Sequence, residues 1–144
     1  MKLVDANILL YTVNADEPQH EPARRWLDGA LGESETVAFS WIALLGFLRL
    51  STRTRVLPRP LSVERAFDIV DSWLAQPCAV IVGPTARHAA VLRGLLLPLG
   101  TGGNITTDAH LAALAIEHGA ELYSCDRDFR RFPGLRWRDP LAEP

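Results

Sequence analysis

Three aspartates far apart in the chain are the residues best placed to do chemistry. Asp5 follows the apolar run KLV in LVDANILLY, Asp108 lies within NITTDAHLAALA (residues 104–115), and Asp126 follows ELYSC in SCDRDF. Asp108 poses the problem. Leu111, Leu114 and Ala115 recur at the spacing of a buried helical stripe. Asp108 falls on that stripe, three, four and seven residues ahead of Leu111, Ala112 and Ala115. A lone carboxylate facing a core loses its hydration with nothing in return. A divalent cation would resolve this, because Mg²⁺ or Mn²⁺ takes oxygen ligands and balances charges that otherwise repel. Each acid alone also has a plainer reading. Asp108 could complement the positive end of its helix, and Asp5 and Asp126 could cap the helical turns that follow them. Three acids at three comparable element ends favour the ion.

The elements that must bring these acids together can be read from pattern. Lys2–Val4 reads as a short buried strand, followed by a short helix over Ala6–Val13 and the turn-rich NADEPQHEP. A helix over roughly 21–31 carries Ala23, Trp26, Leu27 and Ala30 on one face, and Thr36–Phe39 is strand-like. Ser40 then caps a helix starting at Trp41, with Ile42, Leu45 and Leu48 as its apolar stripe and Arg49 near its end. VLPRPLS is a rigid loop rather than a linker, and Ser62 opens the next helix with Arg65 where a capping box would place Glu. Ala79–Val82 is strand-like, a helix over about 85–97 follows, and GTGG at 100–103 ends it. A helix from near Thr107, a strand at 121–125, a helical turn from Asp126 and a strand around Leu135–Trp137 complete the chain. Strands alternating with helices predict an α/β/α sandwich around a mainly parallel sheet. In such sheets, sites form beyond the carboxyl ends of the strands.

Composition narrows the partners. At 144 residues and 48% apolar, the chain is expected to be one domain, 1–144, able to bury a core without disulfides. Cys78 and Cys125 lie 47 residues apart without metal-ligand spacing and read as buried thiols of a reducing compartment. The amino terminus, broken by Asp5 and Asn7, is no signal peptide, and no apolar run approaches membrane-spanning length; a cytoplasmic protein is expected. The net charge of −2 excludes a uniformly basic nucleic-acid binder. Lys2 is the only lysine, however, and Arg49, Arg53, Arg55, Arg127, Arg130 and Arg131 cluster in two stretches that suit an anionic partner. Aspartyl-phosphate phosphatases and receiver domains need a later lysine, a P-loop needs GxxxxGK[ST], and dinucleotide binding needs GxGxxG after the first strand. None is present. His20, His88 and His118 share no zinc-ligand spacing, His110 points away from Asp108, and no Ser/His/Asp arrangement stands out.

LVDANILLY, together with NITTDAHLAALAIEHGAELYSCDRDFRRFPGLRW, resembles the PIN-domain family, in particular the VapC-type ribonuclease toxins of type II toxin–antitoxin pairs. The likeness runs from about Lys2 to Trp137. It implies a parallel sheet flanked by helices and a site in which Asp5, Asp108 and Asp126 are the metal-binding and catalytic acids. Asn7 matches the small polar residue after the first acid, Ser124 the hydroxyl that supports the site, and Asp128 a frequent but less central acid. The resemblance further implies a Mg²⁺- (or Mn²⁺-) dependent endoribonuclease that cleaves tRNA, rRNA or mRNA with metal-activated water. Arg49, Arg53, Arg127 and Arg130 are the candidates for gripping the RNA. A VapB-type antitoxin would lie over the site, for which a groove near Trp26 and Trp41 is the candidate, and a homodimer is expected.

One position departs from the pattern. The family usually carries a glutamate in the helix after the second strand, and in WIALLGFLRL that position aligns with Gly46. Ser40, Asp128 or water could fill the gap, or fewer ions could bind. Two other readings therefore stand beside the toxin: a PIN-type nuclease of RNA maturation, and a degenerate PIN domain that binds RNA or antitoxin without cutting.

Overall fold

The computed structural model describes residues 1–142; the last two residues of the domain expected over 1–144, Glu143 and Pro144, lie outside the described residues. Five strands form one sheet: β1 (Lys2–Val4), β2 (Val37–Phe39), β3 (Ala79–Ile81), β4 (Glu121–Tyr123) and β5 (Trp137–Arg138). Their spatial order is β3-β2-β1-β4-β5, and all four pairings are parallel. The expected α/β/α sandwich is the observed fold.

The strands are short, and their alternation divides the core. Leu3 is in register with Ala38 and Leu122, and these three face one apolar cluster with Leu95, Ala112 and Phe129. Val4, Tyr123, Val37 and Phe39 face the other, with Ile8, Leu27, Phe47, Val70 and Trp73. This is the period-two geometry of a strand applied to a sheet covered on both sides. Helices α1 (Ala6–Tyr11), α2 (His20–Gly32), α3 (Trp41–Ser51) and α4 (Val63–Leu74) contribute to the second cluster. Helices α5 (His88–Leu96) and α6 (Ile105–Glu117) contribute to the first and pack closely against each other.

Local signals set several boundaries. Ser40 and Ser62 cap α3 and α4, accepting from the N–H of Ala43 and of Arg65 at 3.4 and 3.0 Å. In GTGG, Gly100 and Gly103 adopt left-handed conformations (φ 66° and 55°), so this loop ends the 3-10 turn Leu97–Leu99 at a geometry that glycine alone reaches without strain. Helix α6 starts at Ile105, two residues before the expected start, and Asp108 remains in its first turn. Helix α5 starts at His88 rather than near 85, because Thr85 is held elsewhere, as described below.

Helix α3 differs from expectation in its orientation. Ala43, Leu44, Phe47 and Ser51 are its buried residues, whereas Leu45 is 58% exposed and Ile42 and Leu48 are only partly buried. The helix is apolar almost all round, so spacing alone did not identify its core face. Both cysteines are free and half-buried rather than fully buried. Burial, and then the nearby Asp139 carboxylate, push the Cys125 thiol up to about 12, which leaves it unreactive. No helix among the described residues is long and apolar enough to cross a membrane.

Candidate active site

Strand order reverses at β1: its neighbours β2 and β4 lie on opposite sides, so the chain leaves the carboxyl ends of β1 and β4 in different directions. Parallel sheets open a crevice at such a point. Asp5 follows β1 and Asp126 stands three residues after β4, and the Asp5 N–H donates to the Tyr123 carbonyl across the crevice at 3.0 Å. Sheet topology alone thus brings together two acids separated by more than a hundred residues.

Ser124 organises this corner. Its buried hydroxyl donates to Asp5 Oδ2 at 2.7 Å and accepts from Asn7 Nδ2 at 3.0 Å and from the Asp126 N–H at 3.1 Å. Asn7 Oδ1 in turn accepts from the Cys125 N–H at 3.4 Å. Asp5 Oδ1 accepts from the Ala6 N–H at 2.7 Å, and Asp126 Oδ1 accepts from the Asp128 N–H at 2.9 Å. Asp5 and Asp126 therefore do cap the helical turns that follow them, and they also converge. The two readings are compatible because a carboxylate has about four lone-pair sites and a cap uses one.

Asp108 approaches from α6. With Thr107 and Leu111 it lines a cavity of about 540 Å³, bounded on the other side by Asp5, Ala6 and the α3 residues Ile42, Leu45, Gly46 and Arg49. No hydrogen bond or ion pair among the described residues engages its carboxylate. Burial, then the charges of Asp126 and Asp5, push Asp108 up to about 6, with Arg131 opposing them. Burial also raises Asp5, against the hydrogen bonds from Ser124 and the Ala6 N–H, and Asp126 adds to the rise. Three carboxylates thus repel one another in a partly enclosed site, and among the described residues Arg131 offsets only part of that repulsion at Asp108.

The donor set suits a hard divalent cation, since it is made only of carboxylate oxygens. Among the described residues, no group of three or more His, Cys, Asp or Glu side chains is placed to hold a metal ion. Mg²⁺ does not require one: it keeps several waters and binds through one or two carboxylates. The residues present therefore fit such an ion as an open site.

Gly46 lines the same cavity, and a Cβ built there would stand 3.2 Å from the Ala6 Cβ. The close approach of α3 to the start of α1 is what the missing side chain permits, directly beside Asp5. Ser40 is occupied as the α3 cap, and Asp128 is paired with Arg131 at 2.8 Å with its side chain 64% exposed. The charge of Asp128 nevertheless reaches Asp108.

The arginines divide by position. Arg49 lines the cavity, Arg53 and Arg127 are exposed, and Arg130 lies 5.3 Å over the Trp137 ring. Arg131, which sequence reasoning counted only within the basic stretch, is the arginine whose charge reaches Asp108, and Asp128 anchors it twice, through its carboxylate and its carbonyl. The expected groove near Trp26 and Trp41 is not a single feature. Trp26 packs on Tyr123 at 4.9 Å and lines a separate cavity with Lys2 and Glu33, while Trp41 is 47% exposed at the start of α3.

Comparison with known proteins follows the same lines. A family model described as PIN domain matches residues 2–135. The chain is 54% identical over 142 residues to Ribonuclease VapC37 of Mycobacterium tuberculosis, covering 99% of each chain. It is 42% identical over 143 residues to Ribonuclease VapC33 of the same organism, covering 99% of this chain and 100% of that one. Among solved structures, VapBC-1 from nontypeable Haemophilus influenzae aligns with a TM-score of 0.71 at 14% identity over 98% of both chains. VapC20 of M. tuberculosis, a toxin described as cleaving the sarcin–ricin loop, aligns with a TM-score of 0.67 at 19% identity, over 94% of this chain and 99% of that one. At those identities the structural likeness is one of fold. Taken with the family match and the 54% identity, it leaves one conclusion: this chain belongs to the PIN-domain family, on its VapC ribonuclease branch.

Proposed function

We propose that the chain is the ribonuclease toxin of a VapBC-type pair, a divalent-metal-dependent endoribonuclease whose Mg²⁺ or Mn²⁺ is held directly by Asp5 and Asp108, with Asp126 holding it directly or through water. The observation that carries this reading is Asp108: a half-buried carboxylate without a partner, raised to about 6 by burial and by two neighbouring acids. When bound, the ion supplies Lewis acidity toward the scissile phosphate and lowers the pKa of water. The chain's own residues do the remaining work. Ser124 fixes the Asp5 carboxylate, and Asn7 fixes Ser124, so the acid keeps its orientation when substrate arrives. Arg49 at the cavity and the exposed Arg53 and Arg127 grip the RNA backbone, with Arg131 beside Asp108 as a further cation. Arg130 is the weakest member of that set, because Trp137 already holds it.

The relatives' printed names, Ribonuclease VapC37 and VapC33, support the activity, and solved neighbours that are VapBC complexes support a VapB-type antitoxin as partner. The cavity between α3 and α6, rather than the Trp26–Trp41 region, is the surface such a partner would cover.

The test is direct. The purified chain, Asp5→Asn and Asp108→Asn are incubated with tRNA, rRNA and mRNA transcripts in Mg²⁺, in Mn²⁺ and in EDTA, and RNA ends are mapped. Discrete, metal-dependent cuts by the natural chain alone are expected. Equal cutting by all three proteins would sink the assignment. Gly46 favours a second reading, a PIN domain that binds without cutting; binding of RNA by all three proteins with no cleavage in either metal would select it.

A further inference from the structure

Helix α3 carries more apolar surface than folding uses. Its core face is Ala43, Leu44 and Phe47. A second apolar face carries Ile42 and Leu45, three residues apart, with Gly46 beside Leu45 and Arg49 one turn further on. Leu45, 58% exposed, gains little from the fold and faces the cavity that contains Asp5 and Asp108. Leu111 of α6 and Leu50 complete an apolar wall, and the exposed Thr107 places a hydroxyl at its edge. A single cavity is therefore lined by two acids, by an apolar set and by one cation, Arg49. Gly46 contributes to its openness, since any larger residue there would intrude on the space or on Ala6.

We infer that this apolar wall is a subsite for one nucleobase of the RNA, the base adjoining the scissile phosphate, and that Ile42 and Leu45 govern which base is accepted. The inference rests on the nuclease reading, and it adds the part of the substrate that the acids do not touch. A phosphate handled by the carboxylates leaves its own nucleoside within reach of the apolar lining of the same cavity. A base offers apolar faces and a polar edge, which matches leucine and isoleucine walls with one hydroxyl at the margin. Arg49 complements the backbone charge or stacks on the base plane. A cavity of about 540 Å³ suits one unstacked nucleotide better than a long apolar helix face. Single-stranded or looped RNA, whose bases can be splayed out, is the substrate form this geometry accepts.

Two measurements test it. In the first, UMP, CMP, AMP and GMP are titrated against ribose 5-phosphate by NMR shift perturbation, with Mg²⁺ present. At least one nucleotide should bind about tenfold tighter than ribose 5-phosphate, and the advantage should vanish in Leu45→Ser and Ile42→Ser. Leu97→Ser, at a still more exposed leucine (70%) outside the cavity, should keep it. In the second, a short RNA spanning a mapped cut carries a single abasic residue on either side of the scissile phosphate. One of the two substitutions should lower kcat/KM about tenfold for the natural chain and have little effect on Leu45→Ser. Base-independent binding together with tolerance of both abasic sites overturns the subsite while leaving the nuclease intact. A base preference without any RNA cleavage keeps the subsite and removes the nuclease. Tolerance of both abasic sites overturns the proposal whether or not Leu45→Ser also releases a co-purified antitoxin, which the same cavity would hold.

Discussion

Helix α6 ends in two carboxylates with opposite fates. Asp108 sits in its first turn and Glu117 is its last residue, nine positions and about 13 Å apart along the axis. The Glu117 side chain is fully enclosed, yet it is well supplied with donors. Thr85 donates to it from its N–H at 2.9 Å and from its hydroxyl at 2.7 Å, and His88 donates from Nδ1. His88 Nε2 in turn lies 2.9 Å from His110 Nδ1, within hydrogen-bond distance, and Arg87 donates to the Glu117 carbonyl at 3.0 Å. Burial pushes Glu117 up, but the Thr85 and His88 hydrogen bonds outweigh it and hold the carboxyl below its usual range. Asp108 is less enclosed, has no such donors, and is raised to about 6. Donor supply, rather than depth, decides which acid is a structural clamp and which is free to take a ligand.

The largest expected effect lies at the unsatisfied end. Asp108→Asn should lower RNA cleavage by about a thousandfold, because the charge it removes is needed only when an ion and substrate are bound. Glu117→Gln, in protein confirmed as folded, should leave the rate nearly unchanged. A comparable loss from both would abolish the distinction. Next comes stability: Glu117→Ala leaves the Thr85 and His88 donors enclosed without a partner and should cost about 3 kcal/mol in urea unfolding. At its acidic end, the wild-type advantage over Glu117→Ala should disappear as pH falls. A carboxyl with a lowered folded pKa stabilises above the unfolded value of about 4.3, and that contribution is lost as pH drops through the folded pKa.

A smaller effect of opposite sign is expected for Asp108→Asn in EDTA. A raised carboxyl destabilises the fold increasingly as pH climbs from about 4 to about 6, and its full penalty remains above that. Removing the charge should therefore add about 1 kcal/mol at pH 7.5, after allowance for solvent screening, and nothing at pH 4. Mg²⁺ should raise the melting temperature of the natural chain and not of this variant. The smallest effect is at His110, which burial and then the neighbouring His88 hold below its usual pKa. A base with a lowered folded pKa makes stability fall as pH drops below about 6.5, so His110→Gln should flatten the wild-type curve between pH 5 and 7 by about 0.5 kcal/mol.

The acid corner was legible because its signals are local. Each aspartate follows a short apolar run or opens a helix, and parallel-sheet topology carries strand ends to one edge without further instruction. The Ser124 hub was reached through resemblance, and the structure accounts for it with two side chains, Asp5 and Asn7, and the Asp126 N–H around one hydroxyl. The Glu117 corner was not legible. His88 and Glu117 are 29 residues apart, and neither lies in a ligand-like spacing, so only the packing of α5 on α6 reveals the pair. The α3 face was misread because Ile42, Leu45 and Leu48 are as apolar as Ala43, Leu44 and Phe47, and periodicity cannot rank two equally apolar stripes. Arg131 escaped notice beside Arg130 because a 3-10 helix rotates neighbours by about 120°, aiming one over Trp137 and the other toward Asp128.

The 3.2 Å between Ala6 and a side chain added at position 46 also constrains the order in which this molecule can change. A glutamate arriving alone at 46 would press on the residue that anchors Asp5, so the gain of a fourth ligand would come with displacement of the first. The contact closes if Ala6 gives by a few tenths of an ångström, so the two positions are coupled. Ala6→Gly should therefore ease the introduction of Gly46→Glu.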